Sequence, residues 1–593
     1  MGRADRIVFV VLACAAWAYV LARAVMVPVT HDEAGAFHMF ILTGDFVPFA
    51  AGWDAGNHFV YDALAQVSWF LSGKNLFGLR VWCVLSFVLY AWYLWRSGAW
   101  FHSFFVRWCA WACLLWAPFM VEFFSLARGY GLGLAFWAMA LYHLVAWSTS
   151  RAHRDLVALL AGMALAGWST LSMLMVWGGV LAFVVGRVLV DRSAGKKAFT
   201  LGITALLGAL PWAMAVLFAF GLKQHGGLNA GTDKGYMQGT IGSVLGHVSG
   251  CWGFPALMAL LVVAVAIAGL LKLDREGHVR SLRGVALSTL LGLLVFDGSA
   301  QSLTSVLLGT HLPTDRAALY LVQPAVLVLA LGIDAIGERA NRAQVLAAGL
   351  LLLPLREFRR LNLDHTTHWI DQAIPEEFYR IVADRQRSSD RWLLVGAQLY
   401  QSKSTWDFGM WQHGVRLNEL DALDFPQPLN DLLILDPTKD TAPPGFRPIA
   451  KGPSGRIELL ERVTPLRTGV LVDTAMAFPL SGDEFRMLWT REARPYAGKD
   501  LVLECEMWIN SPRRLTNSMI FAFVEETDGQ RPFDHHVRID NQRGAVKEGP
   551  FHLALRLPRI GVRAERIQFG LYDPERCPFA MDSVRVRIQE ISP

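Results

Sequence analysis

Residues 7–27, IVFVVLACAAWAYVLARAVMV, form an apolar run whose one charged residue is Arg23, and THDEAGAF (30–37) follows three positions later. A helix rises 1.5 Å per residue, so roughly 20 apolar residues cross a hydrocarbon core about 30 Å thick. The run is too long for a removable signal peptide, and Leu21-Ala22-Arg23-Ala24 continues it where a cleavage site would end it. It therefore reads as a first transmembrane span with two adjacent carboxylates, Asp32 and Glu33, just beyond it.

The rest of the chain extends that reading. Of 593 residues, 53% are hydrophobic and only 18% charged, against about 25% charged in a soluble domain. The charge is segregated: 62 of the 232 residues from 362 onward are Asp, Glu, Lys or Arg, and only 43 of the first 361. Disorder and collagen are excluded, and a net charge of +5 gives no case for nucleic acid. Ten more spans are expected at 79–95, 108–122, 129–148, 156–171, 173–190, 198–220, 251–271, 284–308, 317–333 and 343–355. The stretch 58–72 is shorter, carries Asp62, and reads as a helix lying in the interface.

Eleven spans place alternate loops on opposite sides, and the cations obey that parity. One side collects Arg3, Arg6, Arg96, Arg107, Arg151, Arg154, Arg192, Lys196, Lys197, Lys272, Arg275, Arg280, Arg283, Arg339 and Arg342. That side is cytoplasmic and includes the N-terminus; the tail from 362 lies outside. The parity depends on a turn near Gly167-Trp168-Ser169-Thr170, which splits 156–190 into a hairpin.

Four polar segments then share the outer face: the first loop 28–57, ARGYGLGLAF (127–136), the loop 221–250, and HLPTDRAALY (311–320). Adjacent carboxylates are most simply solvated loop charge. Here His31 and the apolar Ala34, Ala36 and Phe37 flank the pair. A carboxylate partly withdrawn from water takes a proton from an attacking hydroxyl more readily. Arg128 precedes a run, 129–150, without Asp, Glu, Lys or Arg; it reads either as an interface anchor or as a phosphate clamp. Arg316 raises the same question, and Lys223 and His225 end a span on this side. Asp297 falls inside a span, where a carboxylate is either functional or packed against Ser299 or Gln301.

These elements in this order resemble the GT-C superfamily of polytopic glycosyltransferases, in its protein O-mannosyltransferase and aminoarabinose transferase-like branch. The resemblance rests on Asp32-Glu33, Asn57-His58, Leu76-Phe77-Gly78 with Arg80, Ala127 to Tyr130, and Asp315 to Pro324, and covers about 1–345. His58-Phe59-Val60 departs from the common His-Pro-Pro, and Asp315-Arg316-Ala317 from Glu-Arg-Tyr. The resemblance implies a GT-C fold and sugar transfer outside the cytoplasm, from a polyprenyl-phosphate-linked donor to a hydroxyl of a glycan, lipid or protein, with inversion. It makes Asp32 the first choice of base and Glu33 the second. Substrate would be held by His31, His58, Arg128, Tyr130, Lys223, His225 and Arg316. No nucleotide-binding glycine loop is needed and none is found. Some relatives use a divalent cation, for which Asp32, Glu33 and His31 are the available ligands, although an adjacent pair is no metal signature. The competing readings are a lipid-linked glycan flippase or transporter, which internal repeats would favour, and an O-antigen-type ligase or polymerase, whose cations would lie in loop 221–250.

The charged tail is expected to hold a small α/β module over 362–462 and a jelly-roll-like antiparallel sandwich over 463–593. A helix fits 375–389 and strands fit 391–396 and 431–436; sandwich strands fit 501–509, 518–526, 551–557, 566–572 and 583–591. The sandwich either binds carbohydrate or braces the membrane part. Cys14, Cys83, Cys109, Cys113 and Cys251 read as apolar packing, while Cys505 and Cys577 are either a disulfide or buried thiols. The protein is thus expected in a cell inner membrane, multi-pass, with its tail in the periplasm.

Overall fold

The computed structural model describes residues 2–592 apart from 191–193, 229–230, 251, 338–343, 399–401, 423–428, 513–514, 516–517, 540–547, 558 and 575. Arg192, Cys251, Arg339 and Arg342 lie outside the described residues. The chain divides into two compact units, one of Met1–Met26 with Gly44–Leu363 and the other of Val27–Thr43 with Asp364–Pro593. The first part of the outer loop 28–57 thus groups with the charged tail, and the two units divide after Leu363.

In the helical unit, eight described helices are long and apolar enough to cross a membrane. They are Arg3–Met26, Leu76–Trp100, Gly129–Ser150, Leu171–Val190, Lys197–Gln224, Pro255–Arg275, Leu282–Leu308 and Asp315–Gly337. The most apolar stretch of Asp315–Gly337 is 83% buried, against 17% in Pro255–Arg275, so the former is core and the latter peripheral. Apolar side chains such as Val306 and Leu307 stay exposed, the pattern of a surface solvated by lipid.

The other three expected spans are helical but shorter, each for a visible reason. The helix Phe104–Leu115 stops before Pro118, and Phe119 takes a left-handed φ of 65° before a single turn at Met120–Phe123. The segment 345–358 starts as a 3₁₀ helix, Val345–Leu351, and becomes α only over Leu352–Phe358. His153–Ser169 has 17 residues yet retraces its predecessor: a Cβ at Gly162 would lie 3.1 Å from the Phe136 carbonyl, and one at Gly129 only 2.0 Å from that of Ser169. The required turn is present, because Thr170 leaves the helix with φ −155° and ψ 112°.

In the second unit a five-stranded sheet precedes the sandwich. Its strands are β1 (Val395–Ala397), β2 (Leu420–Asp421), β3 (Leu432–Leu435), β4 (Phe446–Lys451) and β5 (Glu458–Arg462), in the order β2-β1-β3-β5-β4. Strand β1 is parallel to β2 and β3, while β5 is antiparallel to β3 and β4. The helices Glu376–Arg387 and Ser402–His413 cover it through Phe378, Val382, Trp406 and Met410. The strand expected over 391–396 begins only at Val395, because Arg391 grips the Asp431 carboxylate at 2.7 and 2.9 Å and the Leu394 amide donates to the same group.

The sandwich comprises β6 (Arg467–Ser481), β7 (Phe485–Glu492), β8 (Leu501–Asn510), β9 (Met519–Glu526), β10 (Phe533–Arg538), β11 (Glu548–Leu557), β12 (Ala564–Tyr572) and β13 (Phe579–Ser592). Two antiparallel four-stranded sheets, β10-β9-β12-β7 and β11-β8-β13-β6, enclose Leu503, Cys505, Phe551, Phe569, Phe579 and Ile588. Cys505 and Cys577 are both buried and both free thiols, so the disulfide alternative is corrected to apolar packing.

Candidate active site

The acidic motif opens a short helix, His31–Ala36, and its local chemistry separates the two carboxylates. Thr30 is the N-cap: its hydroxyl accepts from the Glu33 amide, while Glu33 Oε2 accepts from the Thr30 amide at 2.9 Å and the Thr30 hydroxyl at 3.1 Å. This reciprocal capping box satisfies donors that a helix start leaves open. Glu33 is therefore buried and committed to the cap, whereas Asp32 and His31 stay partly exposed. Phe37 fixes the segment by edge-to-face packing on Phe408 at 4.9 Å.

In the helical unit, His58, Arg128 and Tyr130 converge. Arg128 is the N-cap residue of Gly129–Ser150 and is buried. Its neighbour must be glycine, since a Cβ there would overlap the Ser169 carbonyl and also meet His58 at 2.8 Å. The His58 ring bonds the Ser169 carbonyl through Nδ1 at 2.7 Å and meets Tyr130 edge to face at 5.0 Å. Asp62, one turn into the helix Phe59–Leu71, accepts from the His58 amide at 2.8 Å. Burial pushes its carboxyl up to about 8, opposed by the Arg128 charge and the His58 hydrogen bond.

Tyr130 and Arg316 line one cleft with about 170 Å³ of empty space, walled by Leu134, Thr170, Ser172, Met173 and Tyr320. Beneath it the Tyr320 hydroxyl donates to Asp297 Oδ2 at 2.9 Å and accepts from Gln301 at 3.3 Å, and the Tyr236 hydroxyl reaches the same carboxylate oxygen at 3.5 Å. Asp297 is thus held by Tyr320 and Tyr236 together with Gln301, the neighbour one turn along its own helix. The preceding residue, Asp315, takes φ 51° and bonds His247 at 3.0 Å and Ser243 at 2.9 Å, fixing the start of the segment that carries Arg316.

Two expected site residues do not join this group. Lys223 donates to the Leu308 carbonyl, and His225 stacks on Trp53 at 4.6 Å while bonding the Gly221 carbonyl, so both finish a helix end. Sequence reasoning also passed over Glu122 as the end of a span. It pairs at 3.8 Å with the fully buried Arg23, near the buried Glu357. Among the described residues, no three His, Cys, Asp or Glu side chains converge as metal ligands. With Glu33 Oε2 held in the cap, the acidic pair does not fit as a ready chelating couple.

No protein-family model matches the sequence, and no curated protein matches it. Among solved structures, the chain is similar to ArnT from Cupriavidus metallidurans bound to undecaprenyl phosphate, with 13% identity, TM-score 0.39, and coverage of 78% of this chain and 98% of that one. It is also similar to the oligosaccharyltransferase AglB from Archaeoglobus fulgidus in complex with an inhibitory peptide and a dolichol-phosphate, at 8% identity, TM-score 0.39, covering 97% and 96%. A third is the mycobacterial arabinofuranosyltransferase AftD, at 12% identity, TM-score 0.39, covering 97% and 60%. Identity and TM-score are low in all three, and the functional reading is carried by the residues of this chain.

Proposed function

We propose that this chain is a membrane glycosyltransferase of the GT-C type, moving a sugar from a polyprenyl-phosphate-linked donor to a hydroxyl acceptor on the outer face of the inner membrane. The observation that supports it most is the cleft shared by Tyr130 and Arg316, with His58 against Tyr130 and Arg128 two residues before it in the chain. A guanidinium matches phosphate oxygens with paired hydrogen bonds, and a buried one binds them without competition from bulk water.

Asp32 is the base. Glu33 is spent on the cap, whereas Asp32 lies outside that capping box and is partly exposed. As the acceptor oxygen bonds to the anomeric carbon, its proton passes to Asp32. The bond from that carbon to phosphate oxygen breaks on the opposite face, giving inversion. The leaving polyprenyl phosphate keeps the electron pair, and Arg316 and Arg128 stabilise its charge. The N-terminus is cytoplasmic and the charged tail lies outside, which the one-sided placement of Lys and Arg supports.

Lipid mass spectrometry on purified wild type and Asp32→Asn tests the reading. A co-purifying polyprenyl-phosphate sugar, retained by the variant, is expected. A complete lipid-linked oligosaccharide in both, without any such sugar, overturns it in favour of a flippase or ligase. Turnover with and without EDTA decides whether a divalent cation takes part.

A further inference from the structure

The sheet β2-β1-β3-β5-β4 and the sandwich meet along a tightly bonded seam. The Asn418 side chain exchanges two hydrogen bonds of 2.9 Å with the Ala554 backbone. His552 accepts from Arg416 at 2.9 Å, donates to the Leu417 carbonyl at 3.0 Å, and stacks on Trp392 at 3.6 Å. A cleft opens beside this seam, lined by Glu419 and Asp421 from the sheet edge and by Phe533, His535, Leu555 and Arg556 from β10 and β11.

Its charges are already matched. Glu419 Oε1 pairs with Lys403 at 2.6 Å, and Asp421 with Arg556 at 3.2 Å. Burial, with the Lys403 and His536 charges, holds the His535 imidazole down to about 3, so it is neutral and offers one donor and one acceptor. Glu419 is only 4% exposed, yet among the described residues its Oε2 has no hydrogen-bond partner. A buried acceptor left unpaired costs about 1–3 kcal/mol, more when charged. Glu419 Oε2 therefore calls for a hydrogen-bond donor from a ligand, and the paired charges around it leave no net charge to attract an ion. Its enclosed depth takes a single hydroxyl-sized group, and Phe533 and Leu555 supply an apolar wall. Hydroxyl donors beside an apolar face, on an uncharged molecule, describe a sugar ring.

We propose that this cleft binds a neutral glycan, with Glu419 Oε2 accepting a ring hydroxyl and Phe533 walling one face. Resting on the transferase reading, the bound glycan is the acceptor or the growing product, held by the soluble unit. The test is saturation-transfer NMR on the full chain in nanodiscs free of glycoside detergent. The probes are methyl glucoside, mannoside and galactoside, with methylammonium and inorganic phosphate as ionic controls. At least one glycoside is expected to bind, at least tenfold more weakly to Glu419→Gln or Phe533→Ala, and unchanged in Asp32→Asn. Binding by no glycoside, the cleft then holding water only, overturns the proposal, as does equal binding in both cleft variants or binding of an ionic probe in the glycosides' place. Thermal melting identifies a cleft variant that fails to fold, and the other then decides. A polyprenyl-phosphate sugar on the protein without glycoside binding sinks this inference alone; glycoside binding without that lipid sinks the transferase reading alone.

Discussion

Two carboxylates on consecutive residues of the motif differ in local role, because Thr30-x-x-Glu33 closes a capping box and Asp32 does not take part. Replacing Glu33 by alanine is expected to cost about 1 kcal/mol of stability, the scale of a lost cap, seen as a lower melting temperature. Asp32→Asn should lose about 10²–10⁴ in transfer rate per folded molecule. Equal rate losses per folded molecule in the two variants would refute this division of roles. Asp62 makes a second prediction. Its carboxyl titrates near 8 in the native state and near 3.9 unfolded. Between those values the native state binds more protons, so Asp62 makes stability fall as pH rises from about 4 to about 8. Asp62→Asn should flatten that slope in melts from pH 5 to 8.5 and be more stable than wild type at the alkaline end; parallel slopes would contradict it.

At the scale of elements, the hairpin of Gly129–Ser150 with His153–Ser169 governs where Arg128 and Tyr130 sit. Its closest approach is Gly129 against the Ser169 carbonyl. Gly129→Ala must separate the two helix ends, at an overpacking cost of about 1–3 kcal/mol, and is expected to weaken donor binding along with stability. Gly186→Ala in a later helix meets nothing within 4 Å and should do neither. If both variants bind donor like wild type, the close approach does not position the cleft. The turn at Thr170 was foreseeable from charge parity alone, whereas the break near Pro118 was written locally and went unread.

For the whole molecule, eight long helices would by themselves put both termini on one side, and eleven crossings put them on opposite sides. Single cysteines in a background lacking the native thiols settle this. One at Thr149 should react only with permeant maleimide, and one at Lys234 also with impermeant reagent. Labelling of both from outside would remove the eleven-crossing topology. In the sandwich, Cys505 and Cys577 should both alkylate in denaturant without reductant, as free thiols do.

Hydropathy, charge segregation and one-sided cations were enough to separate a membrane part from a charged tail and to foresee the sandwich, because each reports a residue's own transfer between water, lipid and protein interior. The same local logic could have assigned Glu33 to its cap from Thr30. Other features needed the tertiary structure: Val27–Thr43 clustering with the tail, Tyr130 sharing a cleft with Arg316, Asp297 answered by Tyr320 and Tyr236, and Lys223 and His225 finishing a helix end. These depend on which distant side chains pack together, and packing is a property of pairs that no single residue's hydropathy or charge encodes.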